Sequence, residues 1–186
     1  MSKDYLTDFV LVGGTALSLQ IGHRTSIDLD LFTNVDYAAN EKYDLLLKDF
    51  ELAEALVNDR STLIIEIEGV KVDLIKFKYP FRAPIIEVDN IRLLSIEDIA
   101  PMKIDAITGR GKKKDFYDLY FLIQYFSLPQ ILQWYDQMFH HVTMFHVWKS
   151  LTYFEDAEGD ADPLVFDKSI TWPKVKSSIE AVVRQL

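Results

Sequence analysis

Apolar residues gather in short runs over the first half of the chain and recur at helical spacing over the second half. Residues 9–12 form an apolar run that stops at Gly13-Gly14, the pattern of a buried strand entering a tight turn. Thr15 is placed to cap a short helix over 16–20, and Gly22 to close it. Ile27, Leu29 and Leu31 alternate with Asp28 and Asp30, which predicts a strand over 26–32. Tyr43, Leu46, Leu47, Phe50, Ala53 and Leu56 share one helical face, so the spacing predicts a helix over 39–57. Residues 62–68 and 70–77 are β-rich, with Glu68-Gly69 as the turn of a hairpin between them. A second hairpin is predicted over 85–94, turning at Asp89-Asn90.

From residue 95 the period becomes helical. Ser95 with Asp98 resembles a capping box ahead of a helix over 96–108, with a kink or break at Pro101. Gly109-Arg110-Gly111 reads as a loop. Further helices follow over 114–126, 129–139, 142–154 and 172–185, with a polar, acidic loop over 155–162. The fold class is α+β: a mixed α/β core over 1–94, then a helical region over 95–186.

The 186 residues suit one domain, or one with a helical extension, and 49% hydrophobic content is a globular composition. A formal charge of −9 disfavours a broadly basic nucleic-acid coat protein and leaves room for a local basic patch. The absence of cysteine removes disulfides, thiol nucleophiles and Cys-based zinc sites. No signal peptide or membrane-length apolar stretch is present, so a cytoplasmic protein with no membrane partner is expected.

Asp28 and Asp30, two apart on a strand, send their carboxylates to one face. Such a pair can converge on a hard cation that prefers oxygen ligands, as Mg²⁺ does. Gly13-Gly14 bares backbone N–H groups at a helix start where a phosphate can approach, and Thr15 adds a hydroxyl. Asp73 sits between Val72 and Leu74 on a predicted strand. If that strand lies beside the first, Asp73 completes a carboxylate triad able to hold metal or to accept a proton from an attacking hydroxyl.

Taken together, these residues resemble the nucleotidyltransferases of the DNA polymerase β superfamily, and most closely the AbiEii/AbiGii toxin branch of type IV toxin–antitoxin systems. Residues 11–17, Leu-Val-Gly-Gly-Thr-Ala-Leu, and 23–32, His-Arg-Thr-Ser-Ile-Asp-Leu-Asp-Leu-Phe, resemble its first motif, and Val72-Asp73-Leu74 its second. Lys103 resembles the lysine of the third motif, and residues 114–119 the fourth. Trp172 and Lys176 match a tryptophan and a lysine that members carry in the last helix. The resemblance implies a nucleotidyltransferase that takes an NTP and Mg²⁺, or Mn²⁺ in its place. It implies Asp28, Asp30 and Asp73 as metal ligands, with Gly13, Gly14, Thr15, Arg24, Ser26 and Lys103 around the nucleotide. Lys103 and Asp115 join the aspartates as catalytic residues, and either Asp73 or Asp115 is the base. It also implies a cognate antitoxin.

The acceptor stays open among RNA, protein and a small molecule, and a non-catalytic interaction protein on this scaffold is the rival class. The basic stretch Lys103, Arg110, Lys112, Lys113 and Lys114 can track an RNA backbone. Asp118, three residues from Asp115, reads as a helix-start residue as readily as a functional one. His140, His141 and His146 lack the spacing of a helical metal pair. The acidic loop lacks the glycine of a calcium loop. The aromatic residues of the 114–126 helix read as core and partner surface rather than as a base-stacking platform.

Overall fold

The computed structural model describes residues 1–50, 53–140 and 143–186. The chain divides into two units, Met1–Ala16 with Ser26–Ser95, and Leu17–Thr25 with Ile96–Leu186. In the first, a 3-10 turn (Asp4–Leu6) precedes β1 (Val10–Val12) and the head of α1 (Gly13–Ile21). Then come β2 (Leu29–Thr33), α2 (Ala39–Asp49), β3 (Ala53–Asp59), β4 (Thr62–Ile67), β5 (Val70–Lys76), β6 (Ile86–Val88) and β7 (Ile91–Leu93).

These strands form one seven-stranded mixed sheet in the order β3-β4-β5-β2-β1-β7-β6. Hairpin neighbours are antiparallel, while β2 pairs with β5 and β1 with β7 in parallel across long stretches of sequence. The two predicted hairpins form. Glu68 and Gly69 (φ 52° and 80°) and Asp89 and Asn90 (φ 52° and 62°) take the left-handed conformations that a two-residue turn between twisted strands requires.

The single helix expected over 39–57 does not form. Its first part is α2; from Ala53 the chain pairs antiparallel with β4 as an edge strand, turning at Arg60. Glu51 and Leu52 lie outside the described residues. Ladder pairing with β4 overrides a periodicity that fits either state. The strand expected from Ser26 begins only at Leu29, so Asp28 stands just ahead of it.

The second unit is helical: the tail of α1, α3 (Ile96–Gly109), α4 (Lys113–Leu122), α5 (Leu128–Met138), α6 (Met144–Leu151), α7 (Glu155–Glu158) and α8 (Trp172–Val183). Pro101 neither breaks nor ends α3. It forfeits one backbone donor, and the burial of Ile99, Ala100, Ile104 and Ile107 on the same helix offsets that loss. The acidic stretch expected as loop contains the one-turn α7. Phe116, Tyr117 and Tyr120 are buried core, with Trp172 stacked on Tyr117 at 6.0 Å between ring centroids. No helix among the described residues is long and apolar enough to cross a membrane.

Candidate active site

In the first unit the register of β2 on β5 places Asp30 directly opposite Asp73. Paired residues of parallel strands project to the same face, so the two carboxylates stand side by side. Antiparallel pairing with β1 sets Val12 opposite Asp30, and Gly13 follows at φ 68°. A Cβ on Gly13 would lie 2.2 Å from Asp30 Oδ2, closer than real carbon atoms approach. Only glycine allows that approach and that backbone conformation together.

Thr15 holds the next piece. Its hydroxyl donates to the Asp28 carbonyl oxygen (2.5 Å) and shares a hydrogen bond with Ser26 Oγ (2.9 Å). The buried threonine thereby ties the head of α1 to the segment that carries Asp28 into β2. Asp28 is exposed and Asp30 half-buried, whereas Asp73 is 8% exposed. Lys71 Nζ donates to Asp73 Oδ2 at 2.6 Å. Asp73 Oδ1 is buried without a hydrogen-bond partner among the described residues.

That orphaned oxygen, beside a second carboxylate, fits either a hard cation or an incoming proton, because an unpaired buried acceptor is costly unless something satisfies it. No three His, Asp or Glu side chains among the described residues are grouped to hold an ion by themselves. Mg²⁺ does not need that, since it is commonly held by one or two carboxylates together with substrate phosphates and water.

The second unit holds a different constellation. The Asp118 carboxylate, fully buried, accepts from Arg24 Nε (2.6 Å) and Nη2 (2.9 Å), from His23 Nε2 (2.7 Å) and from Lys103 Nζ (2.7 Å). Burial pushes the Asp118 carboxyl up, but the Lys103 charge and the hydrogen bonds from Arg24 and His23 override it and hold it well below the ordinary carboxylate range. The partners respond in kind. Burial pulls the Lys103 ammonium down, and Asp118 and Asp115 more than reverse that. The Arg24 guanidinium is likewise raised by Asp118 against its own burial. Asp115, also fully buried, is gripped by both nitrogens of the Arg110 fork (2.8 and 2.9 Å) and by Lys103 Nζ (3.3 Å). Backbone bonds from Thr25 N–H to Leu164 O (2.9 Å) and from Phe166 N–H to His23 O (3.1 Å) anchor the segment that carries His23 and Arg24.

The basic run at the head of α4 is less available than its sequence suggests. Lys113 is buried and donates to the Asp160 carbonyl oxygen at 2.6 Å, with Asp162 at 3.2 Å, and its ammonium lies 5.4 Å from the centre of the Trp172 ring. The Lys113 N–H donates to Asp160 Oδ2 (3.0 Å), which gives α4 the cap that Lys112 cannot supply. Lys112 itself reaches Asp160 at 3.3 Å. Glu158 takes Trp172 Nε1 (3.0 Å) and Lys176 Nζ (2.5 Å).

The structure thus groups Gly13, Gly14, Thr15, Ser26, Asp28, Asp30 and Asp73 in one unit, and Arg24, Lys103 and Asp115 in the other. His141 lies outside the described residues. The local pattern did not disclose His23 as a partner of Asp118, nor Lys71 as a partner of Asp73. Lys71 has a signal in retrospect, since it stands two residues before Asp73 and so on the same strand face. His23 has none short of the tertiary fold.

A family model described as nucleotidyl transferase AbiEii toxin, type IV TA system, matches residues 2–169. An Aquifex aeolicus protein, aq_aa25, is 32% identical over an alignment that covers 100% of this chain and 91% of the relative. Among solved structures, JHP933 from Helicobacter pylori is similar in fold, with a TM-score of 0.58 at 17% identity over 96% of this chain and 83% of that one. MenT4, the nucleotidyltransferase toxin Rv2826c from Mycobacterium tuberculosis, gives a TM-score of 0.53 at 15% identity over 96% of this chain and 76% of that one.

Proposed function

The chain belongs to the AbiEii family of nucleotidyl transferase toxins of type IV toxin–antitoxin systems, and on that premise we propose that it transfers an NMP from an NTP to a hydroxyl of RNA, with release of pyrophosphate. The observation that carries the site is the Asp30–Asp73 pair beside the glycine that leaves room for Asp30. Asp28 and Asp30 would hold Mg²⁺, or Mn²⁺ in its place. The ion, when bound, neutralises charge on the phosphates during displacement. Gly13 and Gly14 present helix-start N–H groups to phosphate oxygens, and Thr15 keeps Ser26 and Asp28 in place.

The acceptor oxygen bonds to the α-phosphorus, the bond from that phosphorus to the bridging oxygen breaks, and pyrophosphate carries away the electron pair. The acceptor's proton needs a base. Asp73 and Asp115 are the two candidates, and their surroundings favour Asp73. Both Asp115 oxygens are engaged by Arg110 and Lys103, whereas Asp73 Oδ1 is the buried oxygen without a partner among the described residues. Arg24 and Lys103, expected around the nucleotide, are buried in the second unit and engaged by Asp118, which keeps both ionised. A separately encoded antitoxin would restrain the activity.

The test is incubation of the protein with each α-labelled NTP, Mg²⁺ and total cellular RNA or lysate. Label in RNA is the expected result. Label confined to protein would replace the acceptor, and label in neither would remove the reading.

A further inference from the structure

Residues 76–82, Lys-Phe-Lys-Tyr-Pro-Phe-Arg, interleave cations with aromatic rings from the last residue of β5 onward, and Lys76 itself pairs with Asp36. This combination suits unpaired nucleic acid, because each base has a face to stack and each nucleotide a phosphate to neutralise. Its placement matters more than its composition. Phe32 lies two residues beyond Asp30 on β2, on the same sheet face and about 7 Å further along. The Phe77 N–H still bonds Thr33 O at 2.8 Å, so Phe77 continues the β5 alternation and shares the face of Asp73, four residues on and about 13 Å away.

There the rings assemble. Phe32 stacks on Phe77 with centroids 5.3 Å apart, and Phe81 stacks on Phe77 at 6.0 Å with planes 13° apart. Tyr79 meets Phe77 edge-on at 5.4 Å. The loop is held in shape, because Asn34 Nδ2 donates to the carbonyl oxygens of Phe77 (3.0 Å) and Tyr79 (2.8 Å). All four rings are half-buried, while Lys78 and Arg82 are exposed. The rings are thus buried only in part, fixed in place and flanked by exposed cations.

We propose that Phe32, Phe77 and Phe81, with Lys78 and Arg82, form the acceptor platform, on which the unpaired bases next to the reacting hydroxyl of a single-stranded RNA stack while its phosphates meet the two cations. The proposal rests on the nucleotidyl-transfer reading for the chemistry but not for the binding. It makes the acceptor an RNA end or loop rather than a duplex, since paired bases have no free face to offer.

The experiment is fluorescence anisotropy of an unstructured, end-labelled RNA oligonucleotide with the full chain, at several salt concentrations and without NTP. Phe81→Ala should weaken binding about fivefold to a hundredfold, the range one base–aromatic stack is worth. Phe81→Trp should keep it, which separates stacking from folding. Lys78→Ala with Arg82→Ala, both surface changes, should lower the salt slope by about 1.4, or about 0.7 for each single-strand phosphate left without its cation. Unchanged affinity in Phe81→Ala together with an unchanged salt slope in the double variant overturns the platform. If wild type binds the oligonucleotide as expected but transfers no nucleotide to it, the platform stands and the chemical reading falls. If transfer proceeds to a protein acceptor and Phe81→Ala leaves it untouched, the platform falls and the chemistry stands.

Discussion

The Asp30 carboxylate occupies the space a side chain on Gly13 would need: a Cβ there would come within 2.2 Å of Asp30 Oδ2. Gly13→Ala therefore combines a clash with a disfavoured φ of 68°. It should cost more than the roughly 1 kcal/mol of a left-handed alanine and should displace Asp30, lowering transfer at least tenfold. Gly22 is the control, since it has φ 59° and nothing within 4 Å of an added Cβ. Gly22→Ala should lose stability in urea unfolding and keep its transfer rate per folded molecule. Equal activity losses in the two variants would show that Gly13 serves only the backbone.

Asp28→Asn and Asp30→Asn each remove a metal-binding charge without removing a core support, because Asp28 is exposed and Asp30 half-buried. Transfer should drop by a hundredfold or more in each, with a melting temperature within a few degrees of wild type. A rate within threefold of wild type in either variant refutes that residue as a ligand.

NTP with Mg²⁺ should raise the melting temperature, because a ligand that binds only the native state stabilises it. At 100 times Kd the gain is about 2.7 kcal/mol. EDTA should abolish the shift, as should Asp30→Asn. Failure of all four NTPs at millimolar concentration to move the transition would count against the Gly13–Thr15 turn as a phosphate seat.

Asp118 should dominate the acid limb of stability. Its folded carboxyl is held far below the ordinary value of 3.8. As pH falls through about 4, the unfolded carboxyl takes up a proton and the folded one does not, so the unfolded state binds more protons and stability falls with pH. The contribution is complete above that pH and is lost progressively below it. Asp118→Asn should destabilise by about 3–5 kcal/mol near neutrality, since it leaves Arg24 and Lys103 buried without their counter-charge. It should also flatten the slope of stability between pH 4 and pH 2. An unchanged acid slope, measured by urea unfolding across that range, would assign acid sensitivity elsewhere.

Much of the chain's local geometry was legible in its sequence, because the interactions that set it span a few residues. Gly69 and Asp89-Asn90 favoured turns, since glycine, aspartate and asparagine tolerate positive φ better than other residues, and apolar alternation around Asp30 favoured a carboxylate face. The motif residues carried the family as well, since glycine, threonine and aspartate stand there for chemical reasons that spacing preserves. What lay beyond reach depended on partners far along the chain. Residues 53–57 fit a helical face as well as a strand, and the ladder with β4 decided between them. That Asp73 would land opposite Asp30 was a matter of parallel register, which the long crossover between them does not encode locally. Asp118 looked like an ordinary helix-start carboxylate until the fold brought His23, Arg24 and Lys103 to it. Lys112 and Lys113 looked open until the fold brought Asp160 and Asp162 to them. Local sterics act over a turn or two of chain, whereas charge pairing and strand register act through space. Sequence therefore determined the turns, the faces and the chemical vocabulary, and tertiary structure alone decided which charges met.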